Sequence, residues 1–153
     1  GTFVTVLCGL ISSSPQVDAI QIKKNQPLSI NDNNKTVFRK YFIQDRDDVL
    51  LKILTNYFSA AATVFEYEWN TPQKFVLTKT VGFNGLIVAL KELVPIGEAV
   101  GDLSYTFFLA TFKKVQTNME KQNISITSEY FPTNAQGANK LSKMIIDAAE
   151  EIF

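Results

Sequence analysis

In the stretch LTKTVGFNG (77–85), Lys79 and Thr80 stand side by side and Gly82 and Gly85 follow. A lysine, a hydroxyl and two glycines are the ingredients of a phosphate loop, in which backbone N–H groups and an ammonium hold the phosphates. That loop has its glycines before the Lys–Thr pair and follows an apolar strand. Here the glycines come after the pair and no such strand leads in, so a nucleotide loop is set aside. A weaker site is kept at Thr78, Lys79 and Thr80. If Thr78 or Thr80 caps a helix starting there, the free N–H groups of the first turn and Lys79 can hold an anion. Packing explains the glycines better. On a helix, Gly82, Gly85 and Ala89 form a strip of small residues beside Phe83, Leu86, Ile87, Leu90 and Val94. A helical glycine costs about 1 kcal/mol relative to alanine, so two of them call for close approach of another backbone.

Other clusters could also do chemistry. FRKYF (38–42) interleaves two bases with three aromatics, a mixture that can stack on bases while holding phosphates. Arg39, Lys40, Arg46 and Lys79 are therefore the candidate nucleic-acid contacts. The plainer account packs Phe38, Tyr41 and Phe42 and leaves the bases solvated. Asp45, Asp47 and Asp48 crowd the start of a helix, where the dipole and free N–H groups favour negative charge. Glu66 and Glu68 flank Tyr67. These five carboxylates are the candidates for metal or acid–base work, although solvated charge explains them as well.

Much other chemistry is excluded. Histidine is absent, which removes Ser-His-Asp and Cys-His arrangements, histidine bases and His-based zinc sites. The single cysteine, Cys8, lies in the apolar run FVTVLCGLI and reads as a buried structural thiol. No catalytic residue, metal site or cofactor is assigned. The 15 basic and 15 acidic residues cancel, so no overall field draws in nucleic acid or acidic lipid. Asn34-Lys-Thr36 and Asn123-Ile-Ser125 match glycosylation sequons, but nothing else points to secretion. One unpaired cysteine, no signal peptide and no apolar run of about 18 residues fit a cytoplasmic protein without a membrane partner.

The elements that must position these residues are mainly helices. At 153 residues the chain is long enough for one domain with a sizeable core. Residues 3–11 place Phe3, Leu7, Leu10 and Ile11 at helical spacing and read as a helix, with a strand as the alternative because Val and Thr are frequent there. From 46 to 66, Leu50, Ile53, Leu54, Tyr57, Phe58, Ala61, Val64 and Phe65 form one stripe. Further helices are expected over 79–93, over 103–120 (capped by Asp102 or Ser104) and over 134–152, where Thr133 and Gln136 resemble a capping box. Residues 18–34 are polar and rich in turn formers, 36–43 read as extended or irregular, and PIGEAVGD (95–102) reads as a loop. The expected fold is mainly α: a compact bundle of about five helices with a polar loop or extended excursion near residues 18–43, forming a single helical domain over 1–153. The start at Gly1 reads as a piece of a longer protein.

TFVTVLCGLISSSP (2–15), FRKYFIQDRDDVLLKILTNYFSAAATVF (38–65), EWNTPQKFVLTKTVGFNGLIVALKEL (68–93) and FPTNAQGANKL (131–141) together resemble the C-terminal region of DGQHR-domain proteins. The resemblance spans nearly the whole chain. It implies a bacterial, ParB-like-related protein tied to DNA modification or defence, with this chain as the helical companion of an N-terminal core. The family's signature contains a histidine and lies upstream, so no functional residue of the family is carried onto this sequence. Three functions stay open. The first is a non-catalytic module that packs on the N-terminal core or forms a homo-oligomer, touching DNA through the full-length protein. The second is a direct nucleic-acid binder using Arg39, Lys40, Arg46 and Lys79. The third is a metal-dependent enzyme built on the carboxylates.

Overall fold

A computed structural model describes residues 2–30 and 32–153. Among them are eight helices and no strand: α1 (Thr2–Cys8), α2 (Pro15–Lys23), α3 (Arg39–Ile43), α4 (Asp47–Val64), α5 (Glu66–Trp69), α6 (Thr80–Val100), α7 (Tyr105–Lys121) and α8 (Ala135–Ile152). The mainly α class holds. The chain divides into two compact units, Gly1–Lys52 and Ile53–Phe153.

Ile53–Phe153 is built around α6. Its Leu86, Ile87, Leu90, Leu93 and Val94 are almost completely buried, as expected of the core helix of a bundle. The stripe on α8 (Ala138, Leu141, Ile145, Ala148) is buried too, and α8 packs on both α6 and α7. Tyr57 of α4 meets Phe108 and Phe112 of α7, with ring centroids 5.1 and 5.2 Å apart. Its hydroxyl donates to the Leu86 carbonyl at 2.6 Å. Burial pushes the Tyr57 phenol well above its ordinary value, because the ionised form would lose its water.

Helix ends follow local chemistry. Ser104 caps α7 by accepting from the Phe107 N–H, and Asp102 accepts from the Ser104 N–H. The cap of α8 is Asn134, which accepts from the N–H groups of Gln136 and Gly137, not the Thr133 of the expected box. The expected loop at 95–102 is mostly helix, since α6 runs through Pro95 to Val100. A proline removes one N–H without ending a helix whose neighbouring turns are held by packing, and Val94 and Gly97 on either side are buried. Gly101 stops the helix in the left-handed conformation (φ 73°), where a Cβ would be strained. This extension makes α6 long and apolar enough, by length and composition, to cross a membrane. More than half of that stretch is buried inside the fold, as in the core helix of a bundle, which passes the same test.

Gly1–Lys52 differs most from expectation. The excursion near residues 18–43 contains two helices, α2 and α3. Pro15 at the first helical positions, Asp18 in the first turn and Lys23 in the last all favour α2. Periodicity conceals it, because Val17, Ile20 and Ile22 do not share a face. Of the segment 36–43, expected to be extended or irregular, Arg39–Ile43 form the short α3, and the Phe38 N–H before it bonds the Leu10 carbonyl at 2.9 Å.

Candidate interaction surface

Arg39 is the most constrained candidate. It sits at the first residue of α3 with its side chain only 5% exposed. Its guanidinium donates to both carboxylate oxygens of Asp18, at 2.7 and 3.1 Å. It also donates to the carbonyls of Ser29 (2.6 Å) and Ile11 (3.2 Å), with Asp32 3.9 Å away. The planar fork thus ties together α2, α3, the turn after α1 and the loop before α3. The Arg39 hydrogen bond holds the Asp18 carboxyl below its ordinary value against the opposing effect of burial, and Ser12 adds to this. Asp32 accepts from the Ser13 hydroxyl and N–H, which lowers its carboxyl as well. Arg39 is a structural cation here. A phosphate could reach it only by dismantling this network.

The other bases are less enclosed. Arg46 is exposed and bonds Asp48 through its fork at 3.0 and 3.2 Å, so its charge is locally offset. Lys40 lies over the Tyr41 ring, 5.1 Å from its centroid. Lys79 is the N-cap of α6 in extended conformation with no side-chain cap bond, so neither Thr78 nor Thr80 caps the helix as expected. The Lys79 N–H is used by the Val76 carbonyl at 3.0 Å. Lys79 and Thr80 are exposed and Thr78 is half-buried.

The small residues of α6 meet two different neighbours. A Cβ on Gly85 would lie 3.0 Å from the Ala138 carbonyl and the Leu141 side chain of α8, and Ala89 is fully buried. Gly82 does not face a helix. A Cβ there would run into the carbonyls of Leu77 and Val76, in the turn that leads into α6. The sharp turn into the helix therefore requires this glycine. Among the described residues no group of three or more His, Cys, Asp or Glu side chains could hold a metal ion.

The feature that sequence reasoning missed is the surface of Gly1–Lys52. Its fully buried apolar side chains are Leu10 and Phe38, and its buried polar ones are Ser12, Asp18, Thr36 and Arg39. Phe3, Val4, Val17, Ile20, Ile22, Ile30 and Leu51 are instead at least half exposed. Helix α2 turns its aspartate inward and its aliphatic residues outward. Beside it lies an open groove of about 250 Å³ lined by Cys8, Ile11, Pro15, Ala19, Ile22 and Phe42, with Ser12 and Asp18 also contributing to its wall. Cys8 is half-buried at this groove and not sealed in a core. The one sequence signal was the aliphatic content of VDAIQI (17–22), in a segment set aside as polar. No family model, curated protein or solved structure matches the chain.

Proposed function

We propose that the chain is a non-catalytic helical module. In this reading it supports a ParB-like core of the DGQHR type in a cytoplasmic role linked to DNA binding, DNA modification or defence, and it acts by packing or oligomerisation. The observation that carries the proposal is the inverted character of Gly1–Lys52, which exposes seven large apolar side chains and fully buries two. A contiguous exposed apolar patch marks a site of association, and the proposal takes these side chains to form one; a unit so poor in core gains stability from being covered. The resemblance in residue order over 2–15, 38–65, 68–93 and 131–141 names the partner.

The direct nucleic-acid reading has less support, because Arg39 is spent on Asp18 and Arg46 on Asp48. The enzyme reading has less support, because among the described residues no group of three or more His, Cys, Asp or Glu side chains could hold a metal ion. The test is association. The chain is mixed with a separately expressed DGQHR-type core and followed by size exclusion with light scattering. A complex or a homo-oligomer is expected, and Val17→Asp with Ile20→Asp should abolish it while leaving the helical signal intact. A chain that stays monomeric and ignores the core refutes the proposal.

A further inference from the structure

We infer that α1, α2 and α3 open and close as one unit while Ile53–Phe153 stays folded, and that the guanidinium of Arg39 is the latch. The two units of the chain are closed by different chemistry. In Ile53–Phe153 the fully buried side chains include Ile87, Leu90, Leu93, Phe108 and Phe131. Among the described residues of Gly1–Lys52 the fully buried apolar ones are Leu10 and Phe38, and the group that joins its segments is ionic. Arg39 of α3 bonds Asp18 of α2, the Ile11 carbonyl after α1 and the Ser29 carbonyl before α3, at 2.6 to 3.2 Å. The N–H of its neighbour Phe38 bonds the Leu10 carbonyl, and Ser13 donates to Asp32 beside the same cluster. A segment with so few buried apolar side chains opens at a lower free energy than the rest of a chain. Bonds that converge on one buried cation are also lost together, because separating Arg39 from Asp18 leaves two charges without their partners. Opening is therefore a single step shared by the three helices.

The latch has an output. When it is closed, Asp18 is buried and Val17, Ile20 and Ile22 of α2 stand about half exposed in one fixed arrangement. When it is open, nothing holds that arrangement. The display of α2 serves the packing role proposed above and rests on it, whereas the opening itself does not. The seat of the latch is chemically selective. Two carboxylate oxygens of Asp18 and the carbonyls of Ile11 and Ser29 present four acceptors to one planar cation. A guanidinium supplies that many N–H donors in a flat fork, and an alkali cation supplies none. With Arg39 shortened to alanine, free guanidinium from solution is the ion that should refill the seat.

Hydrogen exchange of the full chain in low urea, read by mass spectrometry, tests both parts. In wild type, the amides of α1, α2 and α3 are expected to share one opening constant. It should exceed that of α6 and α8 by at least about 100-fold. In Arg39→Ala the protection of all three helices should fall together. Guanidinium chloride at about 20 mM, far below denaturing concentrations, should then restore it about fivefold, as a Kd of about 5 mM gives. The same concentration of potassium chloride or of urea should restore nothing. Unequal opening constants among α1, α2 and α3, a constant shared with α6, or a variant that ignores guanidinium would each overturn the inference. The wild-type measurement decides even where the variant does not fold. A chain that shows the shared opening but neither self-associates nor binds the DGQHR-type core keeps the latch and loses the packing role. One that associates but exchanges without a shared step keeps the role and loses the latch.

Discussion

Arg39→Ala should open Gly1–Lys52 while Ile53–Phe153 keeps its structure. The Arg39 guanidinium closes four hydrogen bonds of 2.6 to 3.2 Å to Asp18, Ser29 and Ile11 from a side chain that is 5% exposed. Removing it leaves the Asp18 carboxylate, itself 12% exposed, without its cation, a loss typically costing about 3–5 kcal/mol. The apolar side of the balance is small: full burial of Leu10 and Phe38 stabilises by about 1.5–3 kcal/mol each. The loss is therefore comparable to the whole fully buried apolar contribution of this unit. Hydrogen exchange read by mass spectrometry resolves the two units by peptide. Protection should disappear from α1, α2 and α3 and persist in α6, α7 and α8. Arg39→Lys keeps the charge but not the fork and should fall between. The double change Arg39→Met with Asp18→Leu, which removes both charges, should recover part of the loss. The pH dependence has a definite sign. Asp18 is held below its ordinary value of 3.8 in the folded chain, so its contribution is fully present above 3.8 and fades as pH falls through the lower folded value. Acid should expose α2 in wild type, and Asp18→Asn should flatten that dependence. Unchanged exchange in Arg39→Ala, or loss spread evenly over both units, would refute the reasoning.

Further outcomes are expected. Gly82→Ala drives a methyl group into the Leu77 and Val76 carbonyls and should cost about 1–3 kcal/mol, read from the urea midpoint; Gly85→Ala, which meets α8 at 3.0 Å, should cost less because the Leu141 side chain can shift. Tyr57→Phe deletes a buried 2.6 Å bond to the Leu86 carbonyl and should cost about 1 kcal/mol; in wild type the raised Tyr57 value gives stability that is present below the ordinary phenol value of 10.0 and lost as pH rises through the folded one, followed by denaturation and the tyrosinate absorbance. Asn123 and Asp45 hold left-handed backbone at φ 54°, so glycine at either position should raise the thermal midpoint slightly, whereas Asn134→Ala, which removes the cap of α8, should lower stability by about 1 kcal/mol.

The long helices were legible because burial on one side of a helix imposes a period on the sequence. The stripes through Ile53, Tyr57 and Ala61, through Phe108, Phe112, Val115 and Met119, and through Leu141, Ile145 and Ala148 are all buried. Helix α6 was legible only as far as residue 93, because Pro95 and Gly97 are stop signals when read locally. In the fold, the flanking core contacts of Val94 and the packing of Leu103 against Gly97 keep the helix going. The anion site expected at Thr78, Lys79 and Thr80 turns on register. Whether Thr78 or Thr80 caps a helix depends on one residue of register, and Lys79 takes the cap position.

By itself, then, the sequence determined the helical class, the core of Ile53–Phe153 and the poverty of catalytic side chains. Each of these follows from local composition or from a repeat of three to four residues. Tertiary structure alone decided the rest. Arg39 looked like a solvated base beside aromatics, but a guanidinium can be buried wherever a distant carboxylate and two carbonyls converge on it. Asp18, Ser29 and Ile11 lie 21, 10 and 28 residues away. The same network turns α2 inside out and sets Val17, Ile20 and Ile22 in the solvent. Which face of a helix is outside depends on what the chain places against it, and that information is not periodic.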